Sequence, residues 1–190
     1  MRRPGDYTTQ NTLCRPQTRG YTEGHDQQGD FPRMSIAPTV IQALRFKGVE
    51  FDVVEHEHTA TAAGSAHAAH VHEGQLAKAV LLKDPGGFVL AVLPACESVD
   101  LGQLAKVLHR PLVLASEEDL AEAFYDCEPG AVPAVGEDYL IPTIVDERLR
   151  HLEEVFFEAG DHERLVHISS DGFSRLMADA EYLPISVPHG

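Results

Sequence analysis

The stretch 78-KAVLLKDPGGFVLAVL-93 contains two runs rich in branched apolar side chains. Such runs are typical of β-strands. Between them stand Asp84, Pro85, Gly86 and Gly87, residue types that favour a tight turn. Because apolar residues occupy consecutive positions in both runs, both faces of each strand are expected to be buried. The stretch therefore predicts a buried β-hairpin.

Shorter patterns on either side of this hairpin predict further helices and strands. Pro38 suits the first turn of a helix that ends at Gly48. The predicted N-caps of later helices are Thr59 or Thr61, Asp100, Ser116 paired with Asp119, and Ser170. The other predicted strands are residues 50–56, 113–114, 143–145, 155–157 and 165–168. The chain therefore reads as mixed α/β, without a repeated βαβ unit.

The N-terminal part of the chain differs from the rest. Residues 1–33 contain almost no periodic apolar residues and are rich in Gly, Gln, Thr, Arg and Asp. Such a segment buries too little surface to offset the entropy of ordering it. We therefore expect a poorly ordered tail over residues 1–33 and one domain over residues 34–190.

The charge balance limits the function classes. The 190 residues carry a formal net charge of −15, and the ten cationic and 26 acidic residues of 34–190 give −16. A broad nucleic-acid footprint needs a basic face, so only a small local phosphate contact fits this domain. No apolar run is long enough to span a membrane. Neither a GxGxxG motif nor a P-loop is present, which leaves nucleotide-cofactor binding without support.

Histidines and cysteines offer two alternative chemistries. His67 and His70 are three residues apart on a predicted helix, and with His56 they form a conceivable zinc triad. No HExxH motif accompanies them, so histidines at the surface or a pocket rim are the simpler interpretation. Cys96 and Cys127 are interpreted as small core residues rather than nucleophiles. The three cysteines, Cys14 included, are too scattered for a disulfide framework, and this favours a reducing cytoplasm.

Lys78 is the most informative charged residue. It begins an apolar strand, and Val80 and Leu82 share its face. Such a lysine must reach solvent, form a pair or serve a pocket. Spacing alone favours a lysine that reaches solvent at the strand end.

Two small-residue segments are candidate ligand loops. Residues 130–136 combine two glycines with Pro133, and residues 157–162 bend at Ala159-Gly160. Small side chains let backbone N–H groups approach a ligand, although an ordinary turn explains either segment equally well.

Taken in order, these segments resemble the YbaK/EbsC-type family of prolyl-tRNA synthetase-associated editing domains. The resemblance rests on residues 75–94, on Val54-Glu55-His56 before an alanine-rich helix, and on the segments at 100–101, 114–116, 130–136, 144–146 and 157–160. It covers roughly residues 36–187. In the family the glycine loop usually reads Gly-x-Val-x-Pro-x-Gly, whereas here Ala134 stands at the fifth position and the proline comes one place earlier.

The resemblance implies a twisted, partly barrel-like, largely antiparallel sheet with flanking helices. It also implies hydrolysis of the ester between a wrong amino acid and tRNA, without a metal or cofactor. Lys78 matches the family's functional lysine and is the expected catalytic residue. The expected substrate-binding residues are His56, Thr61, Gly130, Ala131, Val132, Pro133, Gly136, Ala159, Gly160 and His162.

We therefore expect a freestanding, cytoplasmic aminoacyl-tRNA deacylase that removes a mischarged small amino acid. Its expected partner is the 3′-terminal adenosine and aminoacyl group of tRNA, with an aminoacyl-tRNA synthetase as a second candidate and no membrane. One alternative is a non-catalytic module that captures an aminoacyl ligand or docks a synthetase. A histidine-based metal hydrolase is another.

Overall fold

The computed structural model describes residues 36–189. The predicted tail, residues 1–33, lies outside the described residues, as does Cys14. The strands are β1 Asp52–Glu55, β2 Leu76–Asp84, β3 Gly87–Pro94, β4 Glu97–Val99, β5 Val113–Leu114, β6 Thr143–Asp146, β7 Glu154–Glu158, β8 Arg164–Ser169, β9 Glu181–Leu183 and β10 Ser186–Pro188. The helices are α1 Pro38–Phe46, α2 Ala62–Ala68, α3 Leu101–Leu108, α4 Glu117–Ala123 and α5 Ser170–Leu176, with 3-10 helices at Gly136–Tyr139 and Glu147–His151.

The predicted hairpin lies in the middle of an eight-stranded sheet. Strands β2 and β3 are antiparallel, with Lys78 opposite Leu93 and Asp84 opposite Gly87. The sheet order is β1-β8-β7-β2-β3-β6-β9, and the short β5 pairs with β2. The β2–β7, β3–β6 and β6–β9 pairs are parallel. The prediction of a twisted, largely antiparallel sheet in a mixed α/β fold is confirmed, with these three parallel pairs added.

Both faces of the hairpin are buried, as the sequence predicts. On one face, Ala77, Leu81 and Val92 belong to the main core, which also holds α1 and α5. On the other face, Leu82 and Ala91 join a second cluster that packs against Leu104 of α3. Helices therefore cover the central strands on both sides.

Side-chain caps define where the helices begin. Thr61, Asp100 and Ser116 accept hydrogen bonds from backbone N–H groups of α2, α3 and α4, as predicted. The predicted cap Ser170 is wrong by one residue. Ser169 makes the cap, because its side chain accepts from the Gly172 N–H, and Ser170 is already the first helical residue.

Helix α1 is capped by a residue distant in sequence. Its N-cap position is Ala37, which has no side-chain acceptor. Asp126 replaces it: its Oδ2 accepts from the N–H of Thr39 at 2.9 Å and from the Thr39 hydroxyl at 2.8 Å. The other oxygen of Asp126 accepts from the hydroxyl of Tyr139 at 2.7 Å. The Asp126 carboxylate therefore joins α1 to two segments of the loop between α4 and β6.

Within the described residues, no helix is long and apolar enough to cross a bilayer.

Asp84 forms an ion pair at the hairpin turn. Its side chain is 4% exposed, and Arg110 Nη2 donates to its Oδ1 at 2.9 Å. The Gly86 N–H donates to the same oxygen at 2.6 Å. The Arg110 guanidinium lowers the pKa of Asp84 from 3.8 to about 2. The pair therefore stabilises the fold above pH 3.8 and loses this effect as the pH falls through about 2.

We expect Asp84→Asn to lower the urea midpoint at pH 7, with a gap to the wild type that shrinks at pH 2.5. Asparagine keeps an oxygen for Gly86 but loses the charge and the acceptor for Arg110 Nε, so the part of the gap that changes with pH measures the ionic contribution. Asp171→Asn is the control, because its exposed i,i+4 pair with Arg175 contributes little. Equal gaps at both pH values would contradict an ionic origin.

Gly136 is buried where the 3-10 helix Gly136–Tyr139 begins. A Cβ at this position would overlap the Thr143 hydroxyl and lie 2.9 Å from Leu90 Cδ2 and 3.0 Å from the Ile141 carbonyl oxygen. Real side chains do not approach so closely. The neighbouring chain would therefore have to move to admit any side chain larger than hydrogen.

We expect Gly136→Ala to lower the free energy of unfolding by about 1–3 kcal/mol, the range for overpacked cores. The control is Gly102→Ala in α3, where a Cβ would meet only Asp100 Oδ1 at 3.4 Å. Alanine is the better helix former, so this control should be stabilised by up to about 1 kcal/mol. Urea unfolding measures both. A Gly136→Ala variant as stable as the wild type would refute the packing argument.

Candidate active site

One cleft of about 190 Å³ brings together residues from distant parts of the sequence. It lies between the start of β2, the start of α2, the 130–132 segment and the end of β7. Its walls are Ala60, Thr61, Ala62, Ser65, Leu76, Ala77, Lys78, Ala79, Gly130, Val132, Glu158, His162 and Leu165. Five of the eleven predicted site residues are among them, namely Thr61, Lys78, Gly130, Val132 and His162.

Lys78 lies half-buried in the wall of this cleft. Its strand neighbours on the same face, Leu76 and Val80, pack into two different apolar clusters, and Lys78 stands between them. Its Nζ donates to the Ala95 carbonyl at 3.1 Å and lies 3.4 Å from His189 Nε2. Burial lowers the pKa of Lys78 below its ordinary value, against the opposing influence of Cys96 and nearby glutamates. The ammonium is thus partly desolvated.

Lys78 also differs from most other cations of the domain in having no carboxylate partner. Within residues 36–189, six of the ten Lys and Arg residues form ion pairs. Those without one are Arg45, Lys78, Lys106 and Arg150, and Arg150 lies over the Tyr182 ring. Lys78 is the only Lys or Arg of the described chain in the cleft wall. Its charge is therefore not paired with a carboxylate of the described residues.

Glu158 forms the acidic part of the same wall. It is the last residue of β7, and its Oε1 accepts from the N–H groups of Gly160, Asp161 and His162 at 3.1–3.3 Å. Burial raises the pKa of Glu158, while these hydrogen bonds act in the opposite direction. The carboxylate closes the turn between β7 and β8 and holds the backbone of His162.

His162 is fixed in an unusual backbone conformation. Its φ is +60°, in the left-handed region that favours glycine. Besides the bond to Glu158, its carbonyl accepts from the Thr59 N–H at 3.1 Å. Its ring Nε2 donates to the Pro129 carbonyl at 2.9 Å, because a carbonyl oxygen only accepts. In the neutral ring the lone pair therefore lies on Nδ1.

Gly130 brings the loop against this histidine ring. Its φ is +88°, and a Cβ would lie 3.6 Å from the ring of His162. The next two N–H groups are used within the loop: Ala131 donates to Glu128 and Val132 donates to Gly130. These two N–H groups are thus already used and are unavailable to an oxyanion.

The other six predicted site residues lie outside the cleft wall. Ala131, Pro133, Gly136, Ala159 and Gly160 are buried in the protein interior. Gly160 packs against α1 and the loop before residue 130, since its Cβ position is 2.9 Å from Ala37 Cβ and 3.0 Å from Cys127 Sγ. His56 lies at the end of β1, where its Nδ1 is 2.7 Å from the Glu57 carbonyl. None of these six residues lines the cleft.

The geometry gives little support to a histidine-based metal site or to a nucleophilic Cys127. No group of three or more His, Cys, Asp and Glu side chains in residues 36–189 is arranged to hold a metal ion. The Cys127 thiol lies 3.4 Å from the Tyr139 hydroxyl, and burial raises its pKa to about 12. A thiol with this pKa is a poor nucleophile at neutral pH.

Sequence reasoning missed three polar residues at or beside the cleft. Ser65 and Glu158 line it, and His189 contacts Lys78 from outside. Glu158 had a detectable pattern, because strand alternation places it on the same face as Phe156 at the end of an apolar run. His189 had none, because it depends on the pairing of two three-residue strands, β4 and β10.

Comparisons with known proteins agree with this fold. Residues 56–176, more than half of the chain, match the model of the aminoacyl-tRNA editing domain family. No curated protein matches the chain significantly.

Among solved structures, a proposed trans-editing enzyme for prolyl-tRNA synthetase is similar, with a TM-score of 0.69 and 26% identity over 80% of this chain and 99% of that one. A scaffold protein used for computational epitope grafting gives a TM-score of 0.68 and 25% identity over 80% and 97% of the two chains. A proposed signal transduction protein from Marinobacter aquaeolei VT8 shares the fold, with a TM-score of 0.65 and 24% identity over 78% of this chain and 30% of that one.

The family match and the similar solved structures cover the region on which the sequence resemblance rests, and they confirm it. The chain belongs to the aminoacyl-tRNA editing domain family.

Proposed function

We propose that this chain is a freestanding cytoplasmic deacylase that hydrolyses the ester of a mischarged small amino acid on tRNA. The observation that carries the proposal is Lys78, a half-buried cation in the wall of a small cleft that has no ion-pair partner among residues 36–189. The similar trans-editing structure supports the same reaction class and suggests a synthetase as an associated partner.

The size of the cleft supports a small aminoacyl group. Its volume of about 190 Å³ corresponds to roughly six water molecules at about 30 Å³ each. The surrounding wall is mostly alanine, leucine and valine. This volume suits a small aminoacyl side chain better than a large one.

The reaction requires a stabilised oxyanion. Water adds to the ester carbonyl carbon, and the carbonyl oxygen gains negative charge as the C–O bond to water forms. The Lys78 ammonium offsets this charge, and its partial desolvation strengthens the attraction. The bond to the ribose oxygen then breaks. The water proton reaches that oxygen through the vicinal ribose hydroxyl of the substrate, so no side-chain base is needed.

Lys78→Ala should reduce deacylation about 10²–10³-fold, the scale for losing one preorganised stabilising group. The assay is release of the amino acid from a panel of mischarged tRNAs. Lys83→Ala on the same strand is the control, because Lys83 pairs with Asp119 away from the cleft. Wild-type rates in both variants would make Lys78 a structural residue.

The fold should survive this substitution. Since burial lowers the pKa of Lys78 in the folded state, its charge opposes folding at neutral pH, and this cost disappears only as the pH rises past the ordinary value of 10.5. Lys78→Ala should therefore melt at or slightly above the wild-type temperature at pH 7. A much lower melting temperature would mean that lost activity reflects misfolding.

Binding of tRNA should depend only weakly on salt. With six of the ten cations of residues 36–189 already in ion pairs, few remain to contact phosphates. We expect a plot of log affinity against log salt with a slope of magnitude about 2–3. A slope near that of eight phosphate contacts would contradict this expectation.

Binding without turnover of any substrate in the panel would instead favour a non-catalytic capture module.

A further inference from the structure

Glu158 places a negative charge in the same cleft as Lys78. The carboxylate lies at the end of β7, which runs parallel to β2 with Leu76 opposite Phe156 and Ala77 opposite Phe157. Lys78 and Glu158 are the next residues after these pairs, so they lie beside each other in the register of the two adjacent strands. The cleft thus contains one cationic and one anionic group on its β2–β7 wall.

The hydrogen bonds that Glu158 accepts from the backbone do not require its negative charge. Its three donors are uncharged N–H groups, all bound to Oε1. A neutral amide oxygen can accept the same hydrogen bonds, so the turn alone does not require a carboxylate. None of the ion pairs of residues 36–189 includes Glu158. His162 also favours the charged form of Glu158, and a cation supplied by a ligand would reduce the remaining cost of burying the carboxylate.

We propose that Glu158 binds the α-ammonium group of the substrate's aminoacyl moiety. This inference rests on the proposed deacylase function and names the group that orients the substrate. An aminoacyl ester carries its ammonium on the carbon next to the reacting carbonyl. Binding the ammonium at Glu158 directs the carbonyl oxygen towards the Lys78 side of the cleft, so the two charges fix both ends of the reacting unit.

Burial strengthens this contact. The desolvation that raises the pKa of Glu158 also weakens competition from water for an incoming cation. The hydrogen bonds from the 160–162 backbone hold the carboxylate in place before the substrate arrives. An α-hydroxyacyl ester of the same shape lacks the ammonium and gains little from this arrangement.

The test compares Glu158→Gln with the wild type on two substrates. One is the aminoacyl-tRNA that the wild type cleaves fastest, and the other is its α-hydroxyacyl counterpart, made by deaminating the same charged tRNA. Glutamine preserves the acceptor for the turn but removes the charge. We expect kcat/KM to fall about 30-fold for the aminoacyl ester and less than about 3-fold for the α-hydroxyacyl ester. Equal losses, or none, on the two substrates would overturn the inference.

The control is Glu153→Gln, an exposed glutamate just before the same strand, which should leave both rates unchanged. Circular dichroism and thermal melting establish whether Glu158→Gln is folded. If Glu158→Gln unfolds, Glu158→Asp, which retains the charge at a shorter reach, replaces it. A loss of kcat/KM that is larger for the aminoacyl ester than for the α-hydroxyacyl ester supports the role. An equal loss on the two substrates refutes it.

A binding measurement separates this inference from the deacylase proposal. The probe is adenosine with the amino acid attached through an uncleavable 3′-amide, compared by calorimetry with its α-hydroxyacyl form. If the wild type cleaves no tRNA of the panel but binds the amino form more tightly, and Glu158→Gln removes that preference, the deacylase proposal fails and the ammonium site stands. If neither form is preferred, the ammonium site fails regardless of turnover.

Discussion

Strand β2 hydrogen-bonds to strands on both of its edges and is covered by apolar clusters on both of its faces. A charged residue away from the hairpin turn of such a strand has no simple route to water. Lys78 lies near the beginning of the strand, where the covering layer changes from one apolar cluster to another, and it reaches the cleft wall there. The position of the candidate site is therefore a consequence of how completely the central hairpin is buried.

The local parts of this arrangement could be predicted from the sequence. The hairpin, its buried faces and the caps at Thr61, Asp100 and Ser116 each depend on residues that are near one another in the chain. The predicted cap of α5 was wrong by one residue, because Ser169 and Ser170 have the same side chain and only the helix geometry distinguishes them. The parallel pairs β2–β7, β3–β6 and β6–β9 join segments far apart in sequence, and no local pattern encodes them.

The candidate site divides in the same way. Lys78 could be singled out because it stands at the beginning of an apolar run, and the family resemblance gave it a role. The 130–136 loop could be recognised by its small residues, but not which of them face the cleft. Glycine is required at position 136 because Thr143, Leu90 and Ile141 leave no room for a side chain. At position 160 the same restriction comes from Ala37 and Cys127. Glu158 requires knowledge that β7 lies beside β2, which is a property of the assembled sheet.

The Asp126 carboxylate links parts of the molecule that a topology diagram separates. It holds the first turn of α1 and the Tyr139 hydroxyl, while the Ala37 N–H donates to Ala159 at the β7–β8 turn. The helix start, the loop that carries Gly130 and the turn that carries His162 are thus connected by hydrogen bonds. In hydrogen-exchange terms, their amides should open together, at a lower free energy than those of the central hairpin. Local opening of these segments would displace the parts of the cleft wall that contain Gly130 and His162, while the sheet remained folded.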